Sequence, residues 1–179
     1  RHGITEVALS VGFRPDAFKT AYPSGVCAGV PVCYAVESEP LDTAGAIGFA
    51  ARQVSIDDTF LACNGDVLTD LDVGTLVEWH RTVGAEATIA LTPVDNPDRY
   101  GVVPTAEDGR VLGFFEKPSA DVVRTNLINA GTYVFEPSVL DRIPSGRPAS
   151  VEREVFPAMA TDGTLFAMAS DGYWIDAGT

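Results

Sequence analysis

Positive charge is scarce in this chain: 12 Lys and Arg stand against 25 Asp and Glu, a net charge of −13. Such a surface repels polyanions, so neither nucleic acid nor an anionic membrane is expected as a partner. A phosphate ligand would need a local basic cluster or a metal. Histidine is nearly absent, with only His2 and His80. His80 sits at helical spacing among apolar residues and reads as a core-margin residue rather than a ligand. No Ser or Cys lies near a plausible His–Asp pair, and there is neither a Walker-type loop nor a GxGxxG, so a covalent hydrolase or a dehydrogenase has little support. The three cysteines, Cys27, Cys33 and Cys63, are odd in number and lack CxxC spacing, which argues against a disulfide framework and a zinc site; buried thiols of a cytoplasmic protein are expected. No apolar run approaches membrane-spanning length.

What remains is an ordinary globular composition, 46% hydrophobic and 21% charged over 179 residues, enough for a single domain spanning residues 1–179. Phe60-Leu61-Ala62-Cys63 reads as a strand buried on both faces, ended by Asn64-Gly65. Glu6 to Val11, Val32 to Val36 and Ala87 to Thr92 read as further strands. A short helix led by Pro15 carries Phe18 and Tyr22 at i, i+4. Thr43 is placed to cap a helix reaching about Val54, with a small-residue face of Ala44, Gly45, Ala46, Gly48, Ala50 and Ala51. Asp70 or Asp72 caps another, with Val73, Leu76, Val77 and His80 on one face and Gly84 as its stop. This alternation predicts an α/β fold, Rossmann-like, with a mixed, mainly parallel sheet and helices on both faces. From Pro93 the texture changes: Tyr100 to Val103, Val111 to Glu116 and Leu127 to Phe135 read as an antiparallel extension, with turns at Glu107-Asp108-Gly109 and Pro118-Ser119-Ala120. A last helix follows Ser150, with Val151 and Val155 inward and Pro157 kinking or shortening it. Leu165 to Ala169 and Tyr173 to Ile175 close the chain as strands.

Four groups could carry chemistry. Asp66 stands at a strand's C-terminal mouth beside Gly65, where open α/β sheets bind ligands, and Asp176 again sits where a strand gives way to a glycine turn. Alone, Asp66 reads equally as a turn residue and Asp176 reads more readily as a helix N-cap or turn residue, but two such aspartates on neighbouring strands could chelate one Mg²⁺. Glu116-Lys117-Pro118 ends a strand: a surface charge pair, or a hydroxyl acceptor beside a point charge for phosphate. Gly101 follows Asp98-Arg99-Tyr100, and Asn129-Ala130-Gly131 puts an amide inside an apolar strand, where it requires a partner from the protein or a ligand.

Taken in order, Leu41-Asp42-Thr43-Ala44-Gly45-Ala46, Asn64-Gly65-Asp66, Tyr100-Gly101-Val102-Val103, Glu116-Lys117-Pro118, Asn129-Ala130-Gly131 and Tyr173-Trp174-Ile175-Asp176-Ala177-Gly178-Thr179 resemble the sugar-phosphate nucleotidyltransferases. The likeness is nearest to members that transfer guanylyl to mannose 1-phosphate, with glucose-1-phosphate thymidylyl and uridylyl members close behind. The resemblance implies joining a nucleoside triphosphate to a sugar 1-phosphate with release of pyrophosphate, in a full-length protein that forms homo-oligomers. It implies Asp66 and Asp176 as Mg²⁺ ligands, Lys117 as the sugar-phosphate contact, and Glu116, Gly101, Asn129 and Gly131 as sugar contacts. Glu37, with Asp42, Thr43, Gly45 and Gly65, falls to the nucleotide; a carboxylate at Glu37 can accept both N1–H and N2–H of guanine, which leans toward GTP. Two departures stand out. Asp42 replaces a glycine usual in the family, and the family's opening strand and glycine-rich triphosphate loop, roughly 30 residues or more, are not found. The chain therefore reads as a fragment, weak or inactive by itself, with a helical or β-helical C-terminal extension also expected. A non-catalytic sensor of sugar nucleotides is the competing reading; a generic nucleotide-binding domain leaves Glu116-Lys117-Pro118 and Asn129-Ala130-Gly131 unexplained.

Overall fold

β-Forming Val and Leu residues, stopped by Gly12, make Val7–Val11 the strand β1 of a computed structural model in which residues 2–119, 121 and 123–178 are described. Ala120 of the expected turn and Thr179 of the last motif, like Arg1, lie outside the described residues. β1 opens the first of two compact units, Arg1–Asp57 with Ile143–Ser150. Pro15 presets the helical φ at the start of α1 (Pro15–Ala21), none of whose residues is buried. Phe18 and Tyr22 are exposed. β2 (Val26–Cys27) and β3 (Val30–Val36) form a hairpin through Ala28 and Gly29, both at positive φ, as a tight hairpin turn demands. β3 also pairs in parallel with β1.

α2 (Asp42–Gln53) begins one residue before the expected cap, and Thr43 is not its N-cap. The Ala149 carbonyl accepts from the N–H groups of Ala44 and Gly45 at 2.8 and 3.1 Å, so backbone replaces a hydroxyl at the helix start. The small-residue face is buried at Ala44, Gly45, Gly48, Ala50 and Ala51. At Gly45 the reason is contact: a Cβ there would stand 2.9 Å from that of Leu41.

The second unit is Asp58–Arg142 with Val151–Thr179. It contains β4 (Phe60–Cys63), β5 (Val67–Thr69), α3 (Val73–Val83), β6 (Ala87–Pro93), β7 (Gly101–Val102), β8 (Phe115–Glu116), β9 (Leu127–Phe135), α4 (Phe156–Asp162), β10 (Leu165–Ala169) and β11 (Trp174–Asp176). Its main sheet runs β10-β6-β9-β7-β8, with β4 also on β9, and β5 pairs with β11 separately. β10 is parallel to β6. β4 and β6 point the same way, as the alternation of strand and helix implies, but each bonds to β9 in antiparallel fashion rather than to the other. The nine residues of β9 are long enough to hold β6 on one edge and both β4 and β7 on the other. The expected strand from Val111 is confined to Phe115–Glu116, with an isolated bridge at Val111.

Successive residues of β9 face opposite sides. Val134 joins Leu76, Ala90 and Ala130, with Trp174 packed against them. On the other face Phe156 meets Tyr133, Phe114 and Phe135 at ring separations of 5.2, 5.4 and 6.2 Å. Each large apolar side chain fully buried there contributes about 1.5–3 kcal/mol. Asp72 caps α3 by accepting from Gly74 and Thr75, and Gly84 ends it at φ 63. His80 is fully inside the core, its ring bonded to Thr88 Oγ1 at 2.8 Å and Glu136 Oε1 at 3.0 Å, a structural role. Val151 and Val155 are buried as their spacing predicts, within a π-helical turn (Val151–Val155) that runs into α4 with Pro157 in its first turn. A proline without an N–H fits there, where no intrahelical donor is needed.

Two expectations are corrected. β4 is only half-buried, and Cys63 is exposed, while Cys27 and Cys33 are half-buried. β4 has no second strand partner among the described residues, so its outer edge lacks the cover that four apolar residues suggested.

Candidate active site

A β-bulge organises the site. The β6–β9 register shifts between Ile89 and Leu91, and Gly131 in the extra length of β9 takes φ 71. Its carbonyl accepts from Asn64 N–H at 2.8 Å, and a Cβ on Gly131 would lie 2.9 Å from Asn64 Nδ2. The Asn64-Gly65-Asp66 turn is thereby held against β9. Trp174 Nε1 donates to the next carbonyl along, Ala130, at 2.9 Å, which brings in β11 and Asp176. The Tyr100 ring meets Trp174 edge-on at 5.7 Å, and Lys117 N–H donates to Tyr100 O at 3.1 Å. Four motifs far apart in sequence converge on one bulge.

Asp66 lies in the turn between β4 and β5, and Asp176 ends β11 opposite Val67. Ala177 N–H donates to Asp66 O at 2.8 Å, and Gly178 N–H donates to Asp176 Oδ1 at 2.9 Å. Both carboxylates border Gly178, where an added Cβ would press on Asp66 Oδ2 and lie 3.2 Å from Asp176 Oδ1. Neither carboxylate has a Lys or Arg ion pair among the described residues. Two hard oxygen donors converging without a basic partner suit a divalent cation that completes its shell with water and phosphate. No group of three or more His, Cys, Asp or Glu side chains that could hold a metal occurs among the described residues. Gly65 is exposed with open space around it.

Glu116 and Lys117 stand at the end of β8, their charged groups 3.9 Å apart. Lys117 sits at φ 45, a left-handed conformation that costs lysine about 1–3 kcal/mol and is tolerated mostly at functional sites. Glu116 pairs with Gly101 on β7. Gly101 is needed for space: a Cβ would be 2.7 Å from the Phe114 ring and 3.2 Å from Glu116 Oε2. Burial pushes the Glu116 carboxyl up, the charge of Glu152 adds to that, and Lys117 and Arg153 oppose it. The partner required by Asn129 is protein: Nδ2 donates to Tyr133 Oη at 2.8 Å and Oδ1 accepts from Gly131 N–H at 3.0 Å. One N–H and one lone pair remain for a ligand. Burial drives the Tyr133 hydroxyl well above its ordinary range, so it stays protonated.

The remaining candidates belong to the first unit. Glu37 accepts from Ser10 Oγ at 2.8 Å through one oxygen and from Leu41 N–H at 3.0 Å through the other, bracing the turn into α2. Asp42 takes φ 60 and its Oδ1 accepts from Thr43 N–H. The left-handed backbone explains why glycine suits that position, and aspartate is among the few residues that tolerate it. One neighbour of the site went without a role in the sequence: Tyr133 lay unremarked inside the expected Leu127 to Phe135 strand, and its hydroxyl meets Asn129 only in the folded chain.

The mixed main sheet, the β5–β11 pair and the helices define an α/β domain with candidate polar groups gathered near strand ends. The chain belongs to the nucleotidyl transferase family, whose profile, described as Nucleotidyl transferase, matches residues 1–179. It is 41% identical over 179 residues to mannose-1-phosphate guanylyltransferase of Mycobacterium tuberculosis, covering 99% of this chain and 49% of that protein. It is 39% identical over 178 residues to the mannose-1-phosphate guanylyltransferase catalytic subunit beta of Dictyostelium discoideum, covering 98% and 49%. The chain thus spans about half the length of the curated relatives it matches. Among solved structures, HddC from Yersinia pseudotuberculosis superposes with a TM-score of 0.81 at 26% identity, covering 98% of this chain and 74% of that one. The same protein complexed with GMP-PN gives 0.81 and 26%, covering 99% and 75%.

Proposed function

We propose that the full-length protein joins a nucleoside triphosphate to a sugar 1-phosphate and releases pyrophosphate, with GTP and mannose 1-phosphate as the favoured pair. The convergence of Asp66, Asp176, Lys117 and Asn129 around the Gly131 bulge carries the reading. In this transfer a sugar-phosphate oxygen attacks the α-phosphorus in line, forming one P–O bond as the bond to pyrophosphate breaks. The protein then needs positioning and charge neutralisation rather than a covalent nucleophile. Lys117 holds the sugar phosphate as a point charge. Glu116 and Asn129 accept and donate to sugar hydroxyls, and the bare Gly101 leaves them room. Asp66 and Asp176 would hold Mg²⁺, which when bound neutralises charge building on the phosphates. Glu37 and the Asp42–Gly45 turn are assigned to the nucleotide. GTP is favoured by the guanylyltransferase relatives and by the GMP-PN complex of HddC. The excess of acidic residues suits a cytoplasmic protein without nucleic-acid or membrane partners; no described helix is long and apolar enough to cross a membrane. A homo-oligomer is expected.

The test is pyrophosphate release by the full-length protein with Mg²⁺, a panel of nucleoside triphosphates crossed with sugar 1-phosphates, and an Asp66→Asn control. Release with one pairing, collapsing in the control, is the expected result. Silence across the panel with sugar-nucleotide binding intact would move the assignment to a regulatory sensor.

A further inference from the structure

One buried hydroxyl is not explained by packing. Tyr133 lies among phenylalanines, its ring 5.6 Å from that of Phe135 and 5.2 Å from that of Phe156, and the residue is 1% exposed. A phenylalanine would make the same ring contacts with no hydroxyl to desolvate. What the hydroxyl adds is a bond to the site: it accepts from Asn129 Nδ2 at 2.8 Å. The bulge brings the two residues together. Four residues apart on β9, Asn129 and Tyr133 lie opposite Leu91 and Ile89, which are two apart on β6. In a regular strand four steps span about 13 Å, too far for side chains standing perpendicular to the sheet to share a hydrogen bond. The extra length at Gly131 shortens that span, and the same Gly131 turns its N–H to Asn129 Oδ1 at 3.0 Å. The amide is thus held at both ends. Because a backbone N–H can only donate, Gly131 fixes which end is the oxygen, and with Tyr133 on the other end the amide plane cannot turn. Asn129 is half-buried, so a ligand can reach the N–H and lone pair that remain, whereas the Tyr133 hydroxyl is closed off.

We propose that Tyr133 is a positioning residue of the sugar subsite: by bonding Asn129 Nδ2 it orients the amide so that the remaining N–H and lone pair meet two hydroxyls of the hexose 1-phosphate. The inference rests on the transferase reading above. A single bond at Oδ1 would let the amide swing about its side-chain torsions, and a swinging amide donates and accepts along no fixed line. Two fixed directions select a pair of hydroxyls by its geometry, and a site built to bond a hydroxyl rejects the analogue that lacks it. Tyr133 acts on specificity without touching the sugar, which separates its role from those of Glu116 and Asn129.

The experiment is a double-mutant cycle on the full-length protein: wild type, Tyr133→Phe, Asn129→Ala and the pair, with kcat and KM for the sugar 1-phosphate, its deoxy analogues and the triphosphate, and Tm for each. Tyr133→Phe should raise the sugar-phosphate KM about tenfold, leave the triphosphate KM nearly unchanged and weaken discrimination against one deoxy analogue. In the Asn129→Ala background the same substitution should change the sugar-phosphate KM less than about twofold, because the group through which it acts is gone. A purely structural role would cost the same in both backgrounds. Equal effects in the two backgrounds, an unchanged sugar-phosphate KM in Tyr133→Phe, or failure of that variant to fold each overturn the role of Tyr133. Wild-type inactivity across the panel overturns the transferase reading itself.

Discussion

Two corners of the second unit bear the candidate chemistry, and they are built in opposite ways. The corner of Asp66 and Asp176 is made of backbone: a two-stranded β5–β11 ladder, the Ala177-to-Asp66 bond and a bare Gly178 place two aspartates with little burial behind them. The corner of Glu116, Asn129 and Tyr133 is made of core: Phe114, Tyr133 and Phe156 lock the strands beneath it, and its polar atoms bond to one another. The difference suits what each is proposed to bind. A hydrated cation brings its own ligands and needs only converging oxygens, whereas a sugar is read by fixed donors and acceptors whose rotamers packing must hold.

The contrast predicts activity without stability at the first corner and both together at the second. Asp66→Asn or Asp176→Asn should cut pyrophosphate release about 100-fold or more while leaving Tm within about 2 °C, because neither side chain is part of the core. A large fall in Tm would contradict a corner built of backbone. Gly101→Ala should destabilise the domain by about 1–3 kcal/mol through overpacking on Phe114 and raise the sugar-phosphate KM, as read by denaturant titration and kinetics. Tyr133→Phe removes a hydroxyl, leaves Asn129 Nδ2 without its partner, and should cost about 1–2 kcal/mol. Equal stability for Tyr133→Phe would mean that Asn129 is satisfied elsewhere. The smallest effect concerns pH. Glu116 is raised above the ordinary carboxylate range on folding, chiefly by burial, so it binds its proton more tightly folded than unfolded. Its share of stability is present below the ordinary carboxylate range and is lost as pH rises through the raised value. Tm measured against pH should show Glu116→Gln gaining on wild type across that rise.

Local pattern made much of the fold legible. The β9 limits, Leu127–Phe135, and the β10 limits, Leu165–Ala169, coincide with their apolar runs. The Asp72 cap, the Gly84 stop and the small face of α2 needed only neighbours within a few residues. The misses are longer in range. Thr43 was expected to cap α2 because a hydroxyl stood at the right spacing, but a carbonyl about 100 residues later takes the donors. β4 looked buried on both faces because four apolar residues cannot report how many neighbours a strand finds. The β5–β11 pair was invisible because Val67–Thr69 is too short for period-2 alternation to register. At the site, Asp66, Asp176 and Glu116-Lys117 were named from charge beside a glycine or at a strand end, whereas Tyr133 was hidden inside the apolar run of β9.

The sequence by itself determined which residues could do chemistry, since carboxylate, ammonium and amide groups at strand ends carry that information in their type and spacing. It also determined that Gly131 and Asn129 stood where an ordinary strand residue would not. Only the tertiary structure decided that Asn64, Ala130, Trp174, Tyr100 and Lys117 meet around one bulge, and that Phe114 and Tyr133 close on the Phe156 ring. Those contacts span tens of residues, and their free energy comes from strand pairing and aromatic burial that exist only once the whole sheet has formed.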